Sequence, residues 1–78
     1  MSTLYDLTLE KEVAREYAWG IMGTISRIED KNGENEILDT ITRKIYQEIT
    51  NMPSMNFDEV RNLIATCKFL KSVLDELE

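Results

Sequence analysis

The sequence has no histidine, one cysteine (Cys67), one proline (Pro53) and three glycines. Without histidine the commonest general base is missing. Neither a Ser-His nor a Cys-His nucleophilic pair can be assembled. A lone cysteine cannot close a disulfide within the chain, and with no histidine beside it the usual zinc ligand sets are out of reach. No Gly-rich phosphate loop and no Gly-Lys-Ser/Thr signature occurs. Carboxylate pairs such as Asp58/Glu59 and Asp75/Glu76 fall at the ends of predicted helices, where helix dipole and solvation account for them. The chain therefore reads as non-catalytic, with no catalytic residue, metal site or cofactor expected.

Positive charge is also scarce. Nine Lys and Arg face fifteen Asp and Glu, for a net charge of −6. The basic residues are scattered from Lys11 to Lys71 and form no stripe. Direct nucleic-acid binding, which depends on neutralising phosphates, is disfavoured. The acidic surface serves solubility, or else meets a basic partner. No apolar run approaches the ~18 residues that would suggest a membrane span. The opening Met1-Ser2-Thr3-Leu4-Tyr5-Asp6 lacks the charged and apolar regions of an export signal. With an unpaired cysteine, this suits a reducing cytoplasm.

What is present is helical patterning. Apolar residues recur three and four apart, and no sustained alternation suggests a strand. Seventy-eight residues make one domain at most. A stability of about 4–12 kcal/mol is expected from roughly 0.05–0.15 kcal/mol per residue. The polar stretch Asp30-Lys31-Asn32-Gly33-Glu34 and the breaker Asn51-Met52-Pro53-Ser54 divide the chain into three helices, at about 9–29, 34–51 and 57–77. The first carries Val13, Tyr17, Ile21, Ile25 and Ile28, with Ala14 and Ala18 alongside and Thr8 as its expected cap. Gly20 and Gly23 interrupt it away from that stripe. They mark a close backbone approach, a bend, or tolerated surface positions. The second carries Ile37, Leu38, Ile41, Ile45, Ile49 and Met52, with Asn32 as its expected cap. The third opens on a capping box, Asn56 with Glu59, and a hydrophobic staple of Met55 and Val60. It continues as a heptad seam of Val60, Leu63, Cys67, Leu70, Leu74 and Leu77. Short turns make successive helices antiparallel. The fold class is thus all-α, an antiparallel three-helix bundle running up-down-up. Residues 1–7 form a short N-terminal arm or an extra turn, with Leu4, Tyr5 and Leu7 able to dock.

The loop from Glu29 to Glu36 invites comparison with a calcium-binding EF-hand. Aligning Gly33 with the invariant glycine places Ile28 where an oxygen ligand is required, so a polar turn is the better reading.

Bulky residues off the stripes point to function. Trp19, with Met22 beside it, projects away from the core face of the first helix. Phe69 lies nearly opposite Cys67 on the third, flanked by Ala65 and Val73. Aromatics and Met are enriched in interface cores, so Trp19, Met22, Phe69 and Val73 are the candidate protein-interface residues. The plainer alternative is that a small bundle buries more than one helix face, or that residues 1–7 cover them.

The segment Asn51-Met52-Pro53-Ser54-Met55-Asn56-Phe57-Asp58-Glu59-Val60-Arg61-Asn62-Leu63, running on to Leu77, resembles the closing helix of small bacteriophage-encoded helical proteins. It covers about a third of the chain, with a breaker, an Asn-x-x-Glu cap and a Leu heptad. The resemblance implies a protein-binding accessory or assembly role. Together these readings describe a non-catalytic protein-protein interaction module. It would be homo-oligomeric through the third helix, with another protein as partner and neither nucleic acid nor membrane. The alternative is an acidic inhibitor or nucleic-acid mimic that blocks a basic site.

Overall fold

The three- and four-residue spacing becomes three α-helices in the computed structural model, which describes residues 3–78 and the side chains of residues 6–78. Helix α1 spans Thr3–Asn32, α2 Glu36–Asn51 and α3 Phe57–Leu77, with a 3-10 turn at Met52–Ser54. At 1.5 Å per residue the 30-residue α1 is about 45 Å long, so it sets the 47 Å length of the molecule. The chain runs up, down and up as a three-helix bundle. Lys11 Nζ near the start of α1 donates to the Pro53 carbonyl at 3.1 Å, and Arg27 near its end meets Glu78.

Helix α1 starts six residues earlier than the sequence pattern suggests. Residues 3–7 adopt the extra-turn alternative rather than an arm, and Thr8 lies inside the helix instead of capping it. The cause is Leu7. It packs against the core one heptad before Ala14, so the buried stripe extends further back. The suggested docking of Leu4 and Tyr5 falls outside the described side chains.

The cap of α2 also moves. Asn32 is the last residue of α1, and its Nδ2 donates to the Ile28 carbonyl at 3.1 Å. Gly33 follows with φ 91°, a left-handed conformation that glycine adopts without a Cβ clash. Its N–H donates to the Glu29 carbonyl at 2.7 Å. Asn35 then caps α2, accepting from the Leu38 N–H at 3.0 Å. In α3 the capping box forms as expected. Met55 lies half-buried against the core, and Val60 is fully buried.

The core is built from Ala14, Ala18, Ile21, Ile25 and Ile28 of α1, Leu38 and Ile45 of α2, Met52, and Val60, Leu63, Ile64, Cys67 and Leu74 of α3. Ala14 and Ala18 centre the face of α1, which turns Val13 outward to the surface. Ile37 and Leu77, also expected in buried stripes, are exposed, while Ile64 is buried although it lies outside the heptad seam. Cys67 is a small core residue, and burial, with the nearby charge of Glu48, pushes its thiol above the usual range. Buried Thr24 keeps its hydroxyl satisfied by accepting from Arg27 Nη2 at 3.1 Å.

The two α1 glycines resolve to the plainest alternative. A Cβ built on Gly20 or Gly23 would meet only a flexible side-chain atom, of Lys71 or Arg27 respectively, at 3.7 Å. No backbone comes close, and the helix is continuous through both positions.

Candidate functional site: an open groove between α2 and α3

Both α2 and α3 lie on α1, with α3 making much the larger contact, yet they hardly touch each other. On α2 the edge turned toward α3 carries Thr40, Lys44 and Glu48, four residues apart. On α3 the facing edge carries Glu59, Asn62 and Thr66, three and four apart. Residues at these spacings line one side of a helix. The facing edges are polar, and the two helices stand apart along them.

Between these edges lies a groove of about 620 Å³ with an apolar floor of Ile41, Ile45, Leu63 and Leu70, and Met55 among its lining. Ile45 and Leu63 are buried beneath it, and Ile41, Met55 and Leu70 are half-buried. The apolar surface continues toward the α1–α2 turn. There Ile37, 72 % exposed, and Leu77, 59 % exposed, line a smaller depression with Ile28 and Leu38.

The charges around the groove are unevenly placed. The three basic residues of α3 are engaged along its length or toward α1. Arg61 lies 5.5 Å from the Phe57 ring centre, and Lys68 lies 5.9 Å from that of Tyr17 on α1. Lys71 pairs with Asp75 at 2.6 Å, its chain alongside Gly20. The outward shoulder of α3 is left with exposed Asp58, Glu59, Asn62, Ala65, Thr66, Phe69, Val73 and Glu76. Three of these are carboxylates and none is basic. Across the groove from Glu59 stands Glu48, and Lys44 is the single cation in the lining.

The sequence-derived interface residues fall into two separate patches. Phe69, 68 % exposed, and Val73, also exposed, sit one turn from the groove residues Thr66 and Leu70, on the same shoulder. Trp19, 56 % exposed, is set roughly opposite the Ala14–Ala18–Ile21–Ile25 stripe at 100° per residue. It therefore faces away from both α2 and α3. Met22 is partly buried and packed against the core. The groove itself was not anticipated. Its signal was an apolar stripe on α3 too wide for one seam, with Val60 and Ile64 on one flank and Leu63, Leu70 and Leu77 on the other.

Among the described residues no three His, Cys, Asp or Glu side chains gather as a metal cage. No helix among them is long and apolar enough to cross a membrane. No protein-family model, curated protein or solved structure matches the chain.

Proposed function

We propose that this protein is a non-catalytic protein-binding module that receives an amphipathic helix of its partner in the α2–α3 groove. The observation carrying this reading is the groove's construction, an apolar floor left open between two polar edges. Helix-in-groove recognition works on such a surface, with the apolar face of the guest helix covering the floor. A three-helix domain with one open seam would gain a fourth helix. Small domains commonly gain stability from a partner chain in this way.

The groove supports a heterologous partner better than self-association through α3. Val60, Leu63, Cys67 and Leu74 of the heptad seam are already buried within the chain, so little of it is left to pair with a second copy. An accessory or assembly role, of the kind the phage-encoded helical proteins fill, suits such a module. The test is photo-crosslinking in an extract of the source organism, with a photoreactive side chain placed at Thr66 or at Trp19. The expected result is a protein adduct from position 66 and none from position 19. An adduct from position 19 alone would move the binding surface to the outer face of α1.

A further inference from the structure

We infer that the helix taken by this groove carries Lys or Arg beside its apolar stripe, so that the partner is a basic amphipathic helix and not a second copy of this chain. The inference rests on the groove reading above and adds the chemistry of the occupant. Its support is the charge placement. The α3 shoulder holds Asp58, Glu59 and Glu76 with no cation, because Arg61, Lys68 and Lys71 are engaged on Phe57, Tyr17 and Asp75. Glu48 adds a carboxylate from the other rim, against the single Lys44. A helix lying on the floor would set its flanking positions against Glu48 and Glu59, which line the groove, with Asp58 and Glu76 outside the lining on the same helix as Glu59. Basic flanks would find partners there, and acidic flanks would be repelled. Two-fold pairing of α3 shoulders from two copies would bring carboxylates to carboxylates, which disfavours the second copy. Exposed Phe69 and Val73 extend the apolar contact along the same shoulder.

From Glu59 to Leu70 the groove follows about three helical turns, ~17 Å at 1.5 Å per residue. The probes are three synthetic helical peptides of equal length with an identical leucine stripe, flanked by Lys, by Gln or by Glu. Binding is measured with purified full-length protein by calorimetry, and circular dichroism confirms that each variant is folded. The Lys-flanked peptide is expected to bind about tenfold tighter than the Gln-flanked one, with the Glu-flanked peptide weakest. Raising ionic strength toward about 1 M, where charges are screened beyond about 3 Å, should erase the ranking. The double variant Glu48→Gln, Glu59→Gln should remove most of the Lys advantage, and Gln at position 59 remains able to serve the capping box. Thr66→Trp, at an exposed groove position, should block all three peptides, and Trp19→Ala should change nothing.

Equal binding of all three peptides, blocked by Thr66→Trp, would overturn the charge inference and leave the groove reading standing. No binding by any peptide would overturn both. A dimer in sedimentation that Thr66→Trp dissociates would make the second copy the occupant and overturn the inference.

Discussion

Asn56 and Glu59 cap each other. The Asn56 side-chain oxygen accepts the Glu59 N–H, and a Glu59 carboxylate oxygen accepts the Asn56 N–H, both at 2.9 Å. The same glutamate borders the groove, so one residue both starts α3 and contributes charge to its rim. Asn56→Ala should cost about 1 kcal/mol of unfolding free energy, the usual loss for an N-cap. Glu59→Gln should cost clearly less, because an amide oxygen accepts the same bond. Urea denaturation of the two variants provides the comparison.

Gly20 and Gly23 occupy helical positions with room for a methyl group. Gly20→Ala and Gly23→Ala should each stabilise the protein by about 0.5–1 kcal/mol, through helix propensity and a less flexible unfolded chain. Thermal melts would show the gain, and a loss at either position would reveal a close contact.

Cys67 is fully buried with its thiol held in the protonated form. Since the thiolate is the reactive species, an aromatic disulfide reagent should modify native protein only slowly. One equivalent should react in denaturant. The native labelling rate should then follow opening of the bundle and slow in the stabilised glycine variants.

Glu29 sits at the α1–α2 turn, where its carboxylate accepts the Asn35 N–H at 2.9 Å. That bond lowers its pKa. Hydrogen bonding and charge from Asp39, with burial and Glu34, outweigh it and hold the group above the usual carboxylate range. An acid raised in the folded state is penalised when ionised, and the penalty is relieved as pH falls through the folded value. Glu29→Gln keeps an oxygen for Asn35 and removes the repulsion. It should therefore raise the melting temperature at about pH 7, and the gain should shrink as pH falls through the raised folded value and the wild-type glutamate itself takes up a proton.

The helices, their order and the α3 cap were legible in the sequence because periodicity and capping are local properties. Asn56 and Glu59 are three residues apart and need nothing else to recognise each other. The α2 cap was harder to read. Asn32 and Asn35 both have the right chemistry, and the choice depends on how far α1 continues, which Asn32 and Gly33 set by bonding back to the Ile28 and Glu29 carbonyls. Val13 and Ala14 show the same difficulty. One residue of rotation decides which is buried, and the small Ala14 takes the enclosed position while the larger Val13 stays exposed. Phe69 and Val73 were recognised as surface apolar residues, but not the groove beside them. That feature depends on two helices failing to meet, and it requires comparing the edges Thr40–Lys44–Glu48 and Glu59–Asn62–Thr66 across the fold.

Helices α2 and α3 leave an apolar floor open to solvent. Methyl NMR with a soluble paramagnetic probe tests it directly, by comparing Ile41 and Leu70 with Ile21 and Ile25 in one sample. The expected result is strong relaxation of the Ile41 and Leu70 methyl signals, with those of Ile21 and Ile25 protected. Equal protection of all four would show a closed α2–α3 seam and contradict the groove.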